Sequence, residues 1–240
     1  MRKNDIIILG TFLKGSIGEN DMDLLYNRKF FRNWFVRKAI RISRKAVDIR
    51  DSFTDKRICG VSLTKYVPSI AEGSTGSQSC PYYALEVVYK TADFDTDDSF
   101  IDVGCGRGRV LAFLLREKCR WKLSGVEFNE EVAAYAEAWT KKYPDIEVIC
   151  GDAFKLDYNN YTVIHLSRPF QPELFYKFID LLESTLTHPV KLYYWVDQQS
   201  GDYLNDRKGW EMHVRNKLFF RKGFFVAMTP QRYSVWTYTP

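Results

Sequence analysis

Residues Ser99 to Val103 read as a strand that runs directly into Asp102-Val103-Gly104-Cys105-Gly106-Arg107-Gly108, with a helix expected from about Arg109. Glycines at alternate positions let the backbone take positive φ angles and leave no Cβ atoms to hold a ligand away from the main chain. At the carboxyl end of a parallel strand, such a turn makes a nucleotide-type pocket. A dinucleotide turn of the G-x-G-x-x-G kind would place glycine at position 109. Arg109 stands there instead, and the pattern is D-x-G-x-G-x-G.

From Ser99 onward strands and helices alternate. The spacing predicts strands at Lys122 to Phe128, Glu147 to Cys150, Tyr161 to Leu166 and Val190 to Val196. Helices are predicted over Val110 to Cys119, after Asn129 and after Pro172. Asn129 can cap its helix, with Glu130 and Glu131 in the first turn, Lys141-Lys142 in the last and Pro144 as the stop. Alternation of this kind implies a parallel sheet with helices on both faces. The segments Trp210 to Arg221, Phe224 to Met228 and Tyr233 to Tyr238 lack helix-length spacers, so antiparallel edge strands are expected at the end. Upstream, a helix is predicted from Tyr82 to about Thr91. Gly73 to Ser79 is a polar loop of small residues that reads either as a linker or as a flap over the pocket.

Three acids fall at the ends of successive predicted strands. Asp102, Glu127 and Asp152 are spaced by 25 residues each time, one strand–helix unit. In a parallel sheet, side chains at neighbouring carboxyl ends line one crevice. Glu127 is placed to accept from both hydroxyls of a ribose. Asp152 could accept from the exocyclic amine of adenine, with Phe128 and Ala153 giving apolar contact to the ring.

Bulk properties narrow the class. The 240 residues suffice for one α/β domain with additions. The five cysteines (Cys59, Cys80, Cys105, Cys119, Cys150) are scattered with no C-x-x-C pair, and the three histidines form no close pair. A disulfide framework or metal site is therefore not expected, and a reducing cytoplasm fits. The apolar run Ile6 to Leu13 is too short to span a bilayer, and neither its flanks nor a cleavage site suit a signal peptide. Charge is uneven: residues 1–60 hold 14 Lys and Arg against 7 Asp and Glu, residues 61–240 hold 21 against 23. Leu24, Phe31, Phe35, Ala39, Ile42, Ala46 and Ile49 follow helical spacing, with Arg28, Arg37, Arg41, Arg44 and Lys45 off that stripe. The favoured reading is a helix packed on the core by this stripe, with a solvated basic outer face. The second is a basic surface, residues 28–50, for anionic lipid, nucleic acid or an acidic substrate, which would make the protein peripheral to a membrane in the first case.

Ile101 to Gly108, Val126-Glu127-Phe128 and Gly151-Asp152-Ala153-Phe154 together resemble the first three motifs of class I S-adenosylmethionine-dependent methyltransferases. The resemblance covers about residues 80–200 plus the antiparallel ending. Phe53-Thr54-Asp55 through Gly60, and Gln78 to Tyr83, further resemble a group of small bacterial methyltransferases of unassigned substrate. It implies a Rossmann-like doubly wound sheet of about seven strands, mostly parallel, with an N-terminal helical extension. The expected division is residues 1–80 as basic extension and flap and 81–240 as cofactor-binding domain. It also implies that S-adenosylmethionine is held by Asp102, Gly104, Cys105, Gly106, Gly108, Glu127, Phe128, Asp152, Ala153 and Ser167, with Asp102 toward the cationic methionine end. The expected acceptor is a small molecule or glycan precursor. The alternatives are a cofactor-binding protein without transfer, or a nucleic-acid or protein methyltransferase docking through the basic helix. An NAD-dependent oxidoreductase shares the acid after the second strand but would need the glycine at 109.

In the bacterial group the fourth strand usually ends in Asn-Pro-Phe, whereas this chain has Ser167-Arg168-Pro169-Phe170. Guanidinium donates only and stays charged, which disfavours amino-group methylation and favours an anionic substrate. The other reading of Arg168 is a surface ion pair. Asp197, Tyr82, Tyr83, His165 and His213 are weak candidates for a base, and none is assigned.

Overall fold

A computed structural model describes residues 34–240. Five strands run parallel: β1 (Ser99–Val103), β2 (Lys122–Glu127), β3 (Ile146–Cys150), β4 (Val163–Leu166) and β5 (Val190–Trp195). At the end of the chain come β6 (Trp210–Leu218), β7 (Phe220–Arg221), β8 (Phe224–Phe225) and β9 (Gln231–Tyr238). The seven-stranded sheet has the order β3-β2-β1-β4-β5-β9-β6. Strand β9 pairs antiparallel with both β5 and β6. The order reverses at β1, so the crevice at that topological switch opens between the carboxyl ends of β1 and β4. The predicted Phe224 to Met228 strand shortens to β8, which pairs with β7 as a separate two-stranded ribbon.

Helices α1 (Trp34–Cys59), α2 (Tyr82–Val88), α3 (Arg109–Arg116), α4 (Glu130–Thr140) and α5 (Pro172–Thr185) flank the sheet. The Asn129 side chain accepts from Val132 N–H, the cap its sequence position requires. Successive strand residues point to opposite faces, which divides the core in two. Phe100 and Tyr193 pack with α2 and α3 on one side. Ile101, Leu192 and Tyr194 pack with Phe175, Phe178, Ile179 and Leu182 of α5 on the other.

Helix α1 packs by a different face from the one its apolar spacing predicts. Phe35, Ile42 and Ile49 are 60%, 63% and 50% exposed, and the buried positions are Val36, Ile40, Val47, Asp51, Asp55 and Cys59. The reason is electrostatic. Asp55 accepts from Arg109 Nε at 3.1 Å and Nη2 at 2.7 Å, and Asp51 lies 3.7 Å from Arg109 Nη1. A face bearing two carboxylates is the one that matches a buried guanidinium, and apolar counting passes over it. Leu24, Arg28 and Phe31 lie outside the described residues. Farther along the buried side, Ser43 Oγ accepts from Phe225 N–H at 2.7 Å, and Arg44 donates to the Val226 carbonyl. No helix among the described residues is long and apolar enough to cross a membrane.

Candidate active site

The turn after β1 takes the conformation that its glycines allow. Gly104, Gly106 and Gly108 have φ of 72°, 56° and 85°. A Cβ on Gly104 would meet Pro169 Cβ at 2.6 Å, and one on Gly106 would meet Ser77 Oγ at 2.6 Å. Both Gly104 N–H and Cys105 N–H donate to the Val126 carbonyl at 2.9 Å, tying the turn to β2. Gly108 is the left-handed N-cap of α3 and faces Trp139 rather than the cavity. Cys105 is buried, and burial pushes its thiol well above the ordinary range, which makes it a packing residue at neutral pH.

A cavity of about 610 Å³ opens over this turn. Asp102, Gly104, Cys105, Gly106, Glu127, Phe128, Asp152, Ala153 and Ser167 all line it. Glu127 Oε2 accepts from Gly106 N–H and Oε1 from Asn129 N–H, both at 2.9 Å. Burial raises its carboxyl, against the opposing pull of these N–H groups. Asp152 Oδ1 caps the short 3-10 turn Ala153–Lys155 through Phe154 N–H at 3.0 Å. Asp102 is 1% exposed, and its Oδ1 has no hydrogen-bond partner. Burial, and then the nearby Glu127, push its carboxyl far up. An orphaned buried carboxylate oxygen at the cavity wall is suited to a cationic ligand group, because a positive charge there supplies the missing partner.

Ser167 is the half-buried, cavity-side end of a buried chain. Its Oγ lies 2.8 Å from His165 Nε2, and His165 Nδ1 lies 2.8 Å from Tyr89 Oη. His165 is fully buried, and desolvation lowers it to about 3, so the imidazole is neutral at working pH. The other candidate bases are also engaged away from the cavity wall. Asp197 accepts from Arg232 and Ser234, Tyr82 donates to Asp55 at 3.0 Å, and Tyr83 lies under Arg50. His213 on edge strand β6 is exposed, with Nε2 at 2.7 Å from Thr237 Oγ1.

The loop before α2 is a cavity wall. Thr75 N–H donates to the Pro169 carbonyl at 2.9 Å, its Oγ1 to the Arg168 carbonyl at 2.6 Å, and Gln171 N–H to the Gly73 carbonyl at 2.8 Å. Residues 66–79 thereby cover the glycine turn and bond to the loop after β4. The small polar residues of Gly73 to Ser79 were the sequence signal for this. Trp195, Val196, Met228 and Gln231 also line the cavity, and no local motif marks them. Among the described residues, no group of three or more His, Cys, Asp or Glu side chains could hold a metal ion.

Residues 100–182 match the methyltransferase-domain family, the stretch that carries the turn and all three strand-end acids. The chain therefore contains a methyltransferase domain. That domain supports S-adenosylmethionine-dependent methyl transfer, chemistry of the EC 2.1.1 class. Among solved structures, a methyltransferase from Pyrococcus furiosus shares the fold at 15% identity and TM-score 0.54, over 81% of this chain and 97% of that one. TrmN from Thermus thermophilus aligns at 13% identity and TM-score 0.51, over 66% of this chain and 49% of that one. The mitomycin 7-O-methyltransferase MmcR aligns at 14% and 0.51, over 66% and 54%. No curated protein sequence matches.

Proposed function

We propose that this enzyme methylates a small molecule or glycan precursor in the cavity over the glycine turn. The observation that carries the reading is the row of Asp102, Glu127 and Asp152 at the ends of neighbouring parallel strands, facing one cavity. Bound S-adenosylmethionine supplies a methyl group already activated on a sulfonium sulfur. In this reading Asp102 receives the cationic amino-acid end, and Glu127 the ribose hydroxyls through its remaining lone pairs. Asp152 accepts from the adenine amine, Phe128 and Ala153 contact the ring, and Ser167 offers a fixed hydroxyl. Gly104, Cys105, Gly106 and Gly108 form the turn that brings the backbone close. Residues 66–79 exclude water, so orientation rather than proton transfer is the main contribution of the protein. Residues 1–80 act as extension and flap, 81–240 as the domain that binds the cofactor.

Calorimetric titration with S-adenosylmethionine and NAD tests this. S-adenosylmethionine is expected to bind and NAD not, and Glu127→Ala is expected to weaken binding by roughly 10- to 150-fold, the worth of about 1.5–3 kcal/mol for hydrogen bonds to a charged group. Tight NAD binding with none for S-adenosylmethionine refutes the reading.

A second reading is supported by the outer face of α1, where Arg37, Lys38, Arg41 and Lys45 are exposed beside Ile42 and Phe53. Docking of a nucleic-acid acceptor there requires affinity that falls steeply with salt. A flat salt response, or no binding at low salt, removes it.

A further inference from the structure

We propose that Arg168 determines acceptor specificity by pairing with an oxyanion, a carboxylate or phosphate group, on the molecule to be methylated. The inference rests on the cofactor reading above. If the cofactor lies along Asp102, Glu127 and Asp152, at the ends of β1, β2 and β3, the remaining cavity is the half built from the ends of β4 and β5 and the segment before β9. Arg168, Trp195, Val196, Met228 and Gln231 line that half.

The cations of the cavity wall differ in how they are used. Arg109 is held by Asp55, and Arg44 by Asp48 and the Val226 carbonyl. Arg107 lies over the Tyr135 ring at 4.0 Å, next to the glycine turn. Arg168 is half-buried, and among the described residues its guanidinium forms no ion pair, side-chain hydrogen bond or ring contact, although its charge acts on the Tyr194 hydroxyl. The surface ion pair that would explain it blandly is not formed among them. A half-buried guanidinium without a counter-charge loses part of its hydration for no local return, and an oxyanion in the cavity supplies that return.

Backbone strain sits at the same place. Arg168 has φ of 50° and Val196 of 63°, each just past the end of its strand, and β4 and β5 are neighbours. Left-handed geometry is uncommon for arginine and an outlier for a β-branched residue. At Arg168 it is kept by Thr75, which bonds the carbonyls of Arg168 and Pro169. The flap thus fixes the backbone that sets Arg168 in the cavity wall. A bidentate fork on a fixed backbone suits a planar or tetrahedral oxyanion.

The test uses the full chain saturated with S-adenosylhomocysteine, titrated at constant ionic strength with sodium phosphate in one arm and sodium acetate in the other, against chloride. Thermal shift and calorimetry report binding. The parent is expected to bind one of the two anions in the millimolar range, and which arm responds identifies the source chemistry. Arg168→Asn keeps a residue that tolerates left-handed geometry and is expected to weaken anion binding at least tenfold, leaving affinity for S-adenosylhomocysteine within about threefold. Arg168→Lys, which keeps charge but not the fork, is expected to fall between. Protection of Arg168 from phenylglyoxal by the same anion, read by mass spectrometry in the parent, needs no variant. Failure of the parent to bind S-adenosylhomocysteine overturns the cofactor reading. Cofactor binding with no anion response in either arm, with equal anion affinity in Arg168→Asn, or with no protection of Arg168 overturns this inference alone.

Discussion

Replacing Asp55 by alanine is expected to destabilise the protein far more than an average substitution. Asp55 is fully buried and accepts from Arg109 Nε and Nη2, from Leu63 N–H at 2.9 Å and from Tyr82 Oη at 3.0 Å. Without it, the buried Arg109 guanidinium keeps Asp51 at 3.7 Å as its one carboxylate, the Thr64 hydroxyl and the face of the Tyr82 ring at 5.6 Å. Stripping one partner from a buried ion pair costs about 3–5 kcal/mol, and the orphaned Leu63 N–H adds about 1 kcal/mol or more. Against a whole-protein stability of roughly 5–15 kcal/mol, that is a large share. In urea, with a slope of about 2–3 kcal/mol/M, the midpoint should fall by roughly 2 M. The companion double variant, Asp55→Leu with Arg109→Met, removes both charges. Burial already raises Asp51 to about 6, so it can take up a proton once Arg109 is gone. The double variant should therefore recover about 2 kcal/mol or more relative to Asp55→Ala. A single variant that loses under about 1 kcal/mol, or a double variant as damaged as the single, would refute the ion-pair account of how α1 is attached.

Two further outcomes follow from the geometry of the turn and the buried imidazole. Gly106→Ala should weaken S-adenosylmethionine binding at least tenfold and lower stability by about 1–2 kcal/mol, because φ is 56° and the added Cβ meets Ser77 Oγ at 2.6 Å; calorimetry and urea unfolding check both parts. His165 is lowered to about 3 by burial while an unfolded histidine titrates near 6.5. The unfolded chain therefore binds the extra proton first, and stability is lost as pH falls from about 6.5 toward 3, by up to about 1.4 kcal/mol per pH unit. The parent should lose roughly 2 kcal/mol more than His165→Gln between pH 7 and 5 in urea unfolding, and equal slopes would contradict it.

The sheet and its helices could be read from the sequence because each element carries a local signal: alternation, an Asn129 cap, a Pro172 start. The strand-end acids could be read because parallel topology converts even spacing along the chain into adjacency in space. Helix α1 shows where such reading stops. Its buried face includes Asp51 and Asp55, and only the position of Arg109, on another helix, makes those residues interior ones. The acceptor half of the cavity was out of reach for the same reason. Trp195, Val196, Met228 and Gln231 meet there through the β5–β9–β6 pairing, and nothing local to any of them announces it. Arg168 stands out in the sequence by its departure from a motif, whereas its left-handed backbone and its tether to Thr75 depend on a loop far earlier in the chain.

The glycine turn touches three segments that are remote from one another: Ser77 before it, and Trp139 and Pro169 after it. Its own residues and β2 can come together early, but the closed pocket needs β4 docked beside β1 and the flap laid across both. Contacts of such long sequence separation form late, after the chain has met the entropy of closing large loops. A nascent chain halted before Pro169 would hold every glycine of the turn and still lack a pocket. Ligand capture here is therefore a checkpoint on completed folding, and the cofactor acts on the last step of assembly by drawing the finished state forward.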